Sequence, residues 1–271
     1  MQEISSMNAD IICLQEVDHY RDFFFPSLSK LGYEGYYQQR AGDKKDGCCV
    51  MFRRDRLVLV HEVGVDFNEI AQKLKDKTNA HLMNTCNVGQ ILFLRDEQEE
   101  KTVCVANCHL WWEAGAQMIR EYQLTYLLFK IKETKEMLGF KQLSIPTILC
   151  GDLNEELDFG SKLTALLTKH NYFSSYTPYL NSVQPSPGVT VEGPLTANNK
   201  YYTIYTPQVK AAVDAVLYLK DSNDQDGPSI KPTQLLSLFS EEQIKAMNGY
   251  SLPSKHFPSD HLSLVVDFEW K

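Results

Sequence analysis

The apolar positions of the chain fall into short runs separated by helical and polar stretches. ADIICLQEV (residues 9–17) reads as a buried strand, DGCCVMFRR (46–54) as a second and TVCVANCHLWW (102–112) as a third. A helical pattern follows from about Gly115 to Leu138. It places Met118, Tyr122, Leu127, Leu128 and Ile131 near one face and ends at Gly139, a plausible C-cap. After Pro146 comes the run TILCGDLN (147–154), then a helical segment around Lys162 to Thr168. Residues 176 to 200 read as a polar loop rich in Pro, Gly and Asn. AAVDAVLYL (211–219) and DHLSLVVDFEW (260–270) are the last strand candidates, with LLSLFSEEQIKAM (235–247) as a short helix between them. No β-α-β period recurs, so the order predicts a mixed α/β domain spanning residues 1–271, its sheets covered by helices.

Composition narrows this picture in two ways. A net charge of −8 argues against a protein that coats nucleic acid broadly, because polyanion binders usually carry the opposite sign. It leaves room for a nucleotide substrate, since an acidic site becomes attractive to phosphate once a cation is bound. The seven cysteines form no CxxC pair, so neither a zinc cage nor a disulfide framework is supported. Cys13, Cys104 and Cys150 sit in apolar runs and read as small buried hydrophobes. A reducing, intracellular compartment is expected, the cytoplasm first and the mitochondrion if a targeting segment precedes the chain. The first ten residues do not resemble a secretory signal, and no run reaches the roughly 18 apolar residues of a membrane span.

The candidate chemistry lies at the ends of the apolar runs. The first run ends in Gln15-Glu16, the third carries His109, and the fourth carries Asp152-Leu153-Asn154. Asp214 interrupts AAVDAVLYL, and Ser259-Asp260-His261 introduces the last run. Each has a plain reading on its own: a strand-end carboxylate, a hydrogen-bonded histidine, Asx residues capping a turn. Ionisable groups in apolar strands are nevertheless costly unless paired or metal-bound, and five such places together point to one convergent site. Oxygen ligands without a Cys/His cage favour Mg²⁺ or Mn²⁺ over zinc.

In this order the blocks LQEVDHY, DGCCVMFRR, VANCHL, ILCGDLN, VDAVLYL and FPSDHLSLVVDFEW resemble the endonuclease/exonuclease/phosphatase superfamily over essentially the whole chain. Within it the chain looks like the branch of deadenylases, nocturnin, Angel proteins and 2′-phosphodiesterases. LQEVDHY and the SEEQI segment are most like nocturnin, and HLWW is like the deadenylase pattern. The resemblance implies a four-layered αββα sandwich and hydrolysis of a phosphoester by in-line attack of water. It implies that Glu16 and Asp260 serve a Mg²⁺ site, and that Asp152 positions or deprotonates water or takes a second metal, with Asn154 orienting it. It further implies that His261, paired with Asp214, contacts the phosphate, and that His109 stabilises the pentacovalent phosphorus or assists the leaving group.

The sequence departs from the family in two places. Family members begin with a strand bearing an Asn that joins the metal site, and here that N-terminal strand is missing ahead of Glu16. Either the chain is a piece of a longer protein, the reading we favour, or one ligand is lost and a sheet edge is left unpaired. The second departure concerns substrate. Ala114 and Val209 stand where deadenylases of this branch hold adenine, and Leu110-Trp111-Trp112-Glu113 replaces a cationic pattern of nocturnin. Lys44, Lys45, Arg53 and Arg54 are the other cations to consider. Trp111 and Trp112 alternate across a strand, so one is expected in the core and the other in the cleft as a base-stacking platform. The leading expectation is a Mg²⁺-dependent 3′→5′ exoribonuclease, deadenylase-like, acting on an RNA 3′ end. The rivals are a phosphatase for the 2′-phosphate of NADP(H), a 2′,5′-phosphodiesterase, and a non-catalytic module that binds nucleotide or protein.

Overall fold

The computed structural model describes residues 1–75, 77–140, 145–158, 160–176, 190–192, 202–219, 229–246, 251–255 and 257–271. A small antiparallel sheet is built from β1 (Ile11–Leu14), β2 (Tyr33–Gln39) and β3 (Gly47–Arg53) in the order β1-β3-β2. A larger sheet uses β4 (Leu57–Asp66), β5 (Val88–Asp96), β6 (Lys101–His109), β7 (Thr147–Asp152) and β8 (Tyr172–Ser174). Together with β12 (Asp214–Leu219) these run in the order β4-β5-β6-β7-β12-β8. All neighbours in it are antiparallel except β6 and β7. Three further strands, β9 (Thr190–Glu192), β13 (Ile230–Leu236) and β14 (Val266–Trp270), form a sheet ordered β14-β13-β9, and β10 (Ile204–Tyr205) pairs with β11 (Lys210–Ala211).

Strand alternation makes the layers. Leu92, Leu94, Val103 and Val105 of the large sheet pack on Val50 and Phe52 of β3, closing the space between the two sheets. Their odd-even complements Phe93, Cys104, Ala106 and Cys108 turn outward. They are covered by α3 (Glu69–Lys73), α4 (Gln117–Met137) and α5 (Lys162–Lys169), through residues such as Ile70, Leu127, Ile131 and Leu163. On the other side α1 (Gln2–Met7) and α2 (Phe25–Ser29) place Ile4 and Leu28 over Ile12, Cys49 and Met51. Fully burying a Phe or Leu side chain stabilises by roughly 1.5–3 kcal/mol, so these three clusters hold the fold. Another helix, α6 (Glu241–Ala246), sits between β13 and β14 in sequence.

One end of the sandwich is closed by a polar knot. Asp96, 2% exposed at its side chain, accepts from Arg56 at 3.0 Å, from the Trp270 indole at 3.3 Å and from the backbone N–H groups of Gln98 and Glu99. Arg56 also reaches Asp10 at 2.6 Å, so β1, β4, β5 and β14 are tied together there. Burial opposes ionisation of Asp96, but these donors hold its carboxyl below the ordinary range.

Several sequence expectations are corrected. In α4, Met118 and Tyr122 are exposed while Ile119, Leu124, Leu127, Leu128 and Ile131 are buried. Arg120 and Gln123 occupy buried positions that an apolarity pattern assigns to solvent, and this rotates the inner face. LLSL opens in the final residues of β13, and the helix begins only at Glu241. Strands β2, β4, β5, β8, β10 and β13 are additions to the predicted set. The third predicted strand ends at His109, so Trp111 and Trp112 lie beyond it and do not alternate across a strand, and the final strand starts at Val266, not Asp260. Most of the expected loop 176–200 lies outside the described residues, but 190–192 within it form β9. Cys104 is buried as expected, whereas Cys13 and Cys150 are only half-buried.

Candidate active site

The register of three strands assembles the site. His109, the last residue of β6, lies beside Asp152, the last of β7, and Asp152 lies beside Asp214, the first of β12. All three belong to the face that carries Val103 and Val105, so they stand in a row over the gap between the sheets. The row below is Asn107, Cys150 and Val216. The gap thus passes from apolar, through amide, to charged as it approaches this end. Gly151 permits the close β6–β7 approach, since a Cβ there would meet the Cys108 carbonyl oxygen at 2.2 Å. Asp214 opens its strand because the preceding residues peel away: the buried Thr203 hydroxyl accepts from the N–H groups of Val213 and Asp214.

Two loops complete the set. His261 lies opposite Ile204 in a single bridge, flanked by bonds from the Tyr205 N–H to the Asp260 carbonyl and from the Leu262 N–H to the Thr203 carbonyl. Its Nδ1 bonds Asp214 Oδ2 at 2.8 Å, and its Nε2 stands 3.8 Å from Asp152 Oδ2. Glu16 follows β1 in a left-handed conformation (φ 53°), which a non-glycine residue adopts only when its surroundings impose it. Its carboxylate is 3.9 Å from His109 Nδ1, while His109 Nε2 is 3.6 Å from Asp152 Oδ2. Asn154 holds the turn after β7. Its N–H donates to Asp152 Oδ1 at 2.8 Å and its amide donates to the Leu110 carbonyl at 2.9 Å.

Burial and charge set the protonation states. Burial, with Asp214 beside it, pushes Asp152 up to about 7 against the pull of His261. For His261 burial opposes protonation, yet the Asp214 bond and the nearby carboxylates raise it to about 9, so both ring nitrogens are protonated near neutrality. Burial, aided by Arg40 and His261, lowers His109 to about 4 and leaves it neutral. Glu16 is raised by partial desolvation and by Asp46 and Asp260.

These residues fit a hard divalent cation. Ligand atoms of Asp152, Asp214 and His261 lie within 4.8 Å of one another, and His261 would join the two carboxylates as a ligand only on losing a ring proton. The buried His109 Nδ1 has no hydrogen-bond partner among the described residues. The separations of 3.6–3.9 Å around it exceed a hydrogen bond. They suit groups bridged by water or by an ion with ligands at about 2.1 Å. A pH effect follows. An acid with a raised folded pKa loses stability as pH rises from its unfolded value to its folded value of about 7, and the cost is fully present above that. A cation that neutralises Asp152 relieves that cost, so Mg²⁺ is expected to raise the melting temperature more at pH 8 than at pH 6. Equal shifts at the two values, measured by thermal denaturation, contradict the placement of the charge.

The other predicted residues divide. Trp111 is half-buried against the α4-side core, its indole N–H on Glu113 and its backbone N–H on Gln123, while Trp112 is 65% exposed. Ala114 and Val209 are exposed. Lys44 and Lys45 are exposed near Glu16, since the Tyr37 hydroxyl donates to both the Val17 and Lys45 carbonyls. Arg53 and Arg54 lie at the far end of β3, where the Arg53 N–H bonds the Asp10 carbonyl, so they supply no charge to the site. Arg40, not anticipated from sequence, does. Its side chain is only 12% exposed, paired to Asp46 at 3.2 Å and donating to the Cys86 and Thr85 carbonyls. Its one sequence signal is a cation just ahead of the Gly-Asp-Lys-Lys-Asp-Gly turn.

Comparison with known proteins agrees with this geometry. Residues 1–261 match the model of the Endonuclease/Exonuclease/phosphatase family. The chain is 27% identical to the CCR4-Not complex 3'-5'-exoribonuclease subunit Ccr4 of Schizosaccharomyces pombe, with 100% of this chain and 44% of that protein covered. It is 32% identical to Nocturnin of Rattus norvegicus, covering 100% of this chain and 57% of that one. It therefore spans about half the length of the curated relatives it matches. Among solved structures, the human Nocturnin catalytic domain with bound sulfate superposes with a TM-score of 0.70 at 27% identity, covering 100% of this chain and 84% of that one. ANGEL2, a 2',3'-cyclic phosphatase, superposes with 0.74 at 25% identity, covering 98% and 83%. The chain belongs to the Endonuclease/Exonuclease/phosphatase family, whose members hydrolyse phosphoester bonds.

Proposed function

We propose that the chain is a divalent-metal-dependent phosphodiesterase that removes nucleotides from an RNA 3′ end, in the manner of a deadenylase. The observation that carries this is an exposed aromatic, Trp112, three residues past His109 on the strap that leaves β6 at the end where His109, Asp152 and Asp214 stand in a row. A flat exposed ring at the site end of the sheet suits a stacked base. On this reading residues 1–271 form one four-layered αββα domain.

The roles follow from the protonation states. Asp152, poised at about 7, takes the proton of the attacking water. His261, cationic and braced by Asp214, donates from Nε2 to the non-bridging oxygens as charge builds on them. Neutral His109 donates a hydrogen bond to an oxygen on the reacting phosphorus or to the leaving oxygen, and Asn154 keeps the Asp152 turn in place. Glu16 and Asp260 would hold the Mg²⁺ or Mn²⁺. That ion supplies neutralisation of the phosphate charge when bound.

The test is a panel of oligoadenylate, mixed RNA, 2′,5′-linked oligoadenylate and NADPH, each with Mg²⁺ and with chelator. Metal-dependent shortening of oligoadenylate is expected, and release of phosphate from NADPH alone transfers the chain to the phosphatase reading. The buried cation Arg40 beside the site is the observation that favours that second reading. Trp112→Ala is expected to raise KM for oligoadenylate about tenfold, as loss of one stacked base does, with kcat little changed. An unchanged KM removes the stacking role.

A further inference from the structure

We infer that Asn107 and Gln15 are positioning residues that set the affinity of the Glu16 metal site, acting across the gap between the two sheets. The inference rests on the proposed role of Glu16 as a metal ligand.

Asn107 is an amide in an otherwise apolar strand and is fully buried. A buried amide is costly unless its hydrogen bonds are made, and the partners of Asn107 all lie on the opposite sheet. Its Oδ1 accepts from Gln15 Nε2 at 2.6 Å. Its Nδ2 donates to the Leu14 carbonyl at 2.9 Å and to the Cys49 carbonyl at 3.0 Å. Leu14 and Cys49 face each other in the last register pair of β1 with β3. Asn107 therefore grips the small sheet where its ladder stops and the chain turns toward Glu16.

Glu16 is held from the other side as well. Val17 and Gly47 exchange backbone hydrogen bonds at 2.9 and 3.1 Å. Between these two clamps Glu16 keeps its left-handed backbone, a conformation that local preference does not supply. Asn107 also lies two residues before His109 on the same strand face, so the amide that grips β1 fixes the separation of His109 from Glu16. Among the described residues the Glu16 side chain makes no strong bond of its own, and its nearest ionic partner there is His109 Nδ1 at 3.9 Å. Its aim comes from its backbone, and its backbone is aimed by Gln15 and Asn107.

Outer partners that orient a metal ligand typically change metal affinity 10- to 100-fold when removed. The experiment measures Mn²⁺ binding calorimetrically, with no substrate present, on the chain and on Glu16→Gln, Gln15→Met, Asn107→Ser and the double variant Gln15→Met/Asn107→Ser. Melting temperatures are taken in chelator. Glu16→Gln is expected to abolish binding. Gln15→Met and Asn107→Ser are each expected to weaken it about tenfold or more, with the double variant no weaker than the worse single, because both act through one path. Gln15→Met keeps side-chain bulk at a half-buried position, so it decides the matter if Asn107→Ser unfolds the protein. If Glu16→Gln abolishes binding while Gln15→Met stays within about twofold of the unaltered chain, the positioning role fails and the metal reading stands. If the unaltered chain binds no Mn²⁺, or Glu16→Gln binds it normally, the reading of Glu16 fails and takes this inference with it.

Discussion

Asp152→Asn is expected to lower kcat by about 10³-fold and, in chelator at pH 8, to make the protein more stable. The first effect removes the group that accepts the water proton. The second comes from the same burial that tunes it. Ionised Asp152 sits beside Asp214 with its carboxyl pushed up to about 7, so holding it charged at pH 8 costs folding free energy. The neutral amide avoids that cost and still offers an oxygen to the Asn154 N–H. A gain on the order of 2–4 kcal/mol is expected at pH 8, smaller at pH 5.5, where the wild-type carboxyl is already largely protonated. Urea denaturation at the two pH values checks this. A variant less stable than wild type at pH 8, or with kcat within about tenfold, contradicts the assignment.

Asp96→Ala is expected to do the opposite at the other end of the sandwich. Asp96 gathers Arg56, the Trp270 indole and two backbone N–H groups in a nearly buried knot. Removing the anion leaves those donors without their acceptor, at a cost of about 3–5 kcal/mol for a buried pair. Arg56 is about one-third exposed and keeps Asp10, so solvent and that partner place the loss near the lower figure. For a chain of this length that lowers the melting temperature by roughly 6–12 °C. Mn²⁺ affinity is expected to hold, because β1 and the large sheet are gripped separately at the site end by Asn107. A large fall in metal affinity with unchanged stability is the result that defeats this division.

The sequence showed the chemistry better than the frame around it. His109, Asp152 and Asp214 stand out because each interrupts or ends an apolar run, and strand register then lines them up. The partnership of Asp214 with His261 is implied by the family resemblance and is seen at 2.8 Å. Strands β2 and β4 were not evident because half-buried strands mix exposed and covered residues, as in the pattern of Val58 to Gly64. The inner face of α4 was misread because Arg120 and Gln123 point inward to bond the Trp111–Glu113 strap, and periodicity does not register buried polar groups. Arg40 and Asn107 were missed for a related reason. Each is defined by what it touches across the fold: Asn107 meets Leu14, 93 residues away, and Arg40 meets Cys86.

The parallel pairing of β6 with β7 also fixes when the site can exist during folding. The antiparallel neighbours β4, β5 and β6 can pair in sequence order, carrying His109 early. Asp152 arrives beside it only after the 21-residue α4 has crossed back over the sheet, and Asp214 only after β12 has added to β7. Such long-range closure is slow compared with hairpin formation. Metal affinity is therefore a property of the finished molecule. On the proposed reading a divalent ion would act on the last steps of assembly, slowing unfolding while leaving the early meander to form at its own rate.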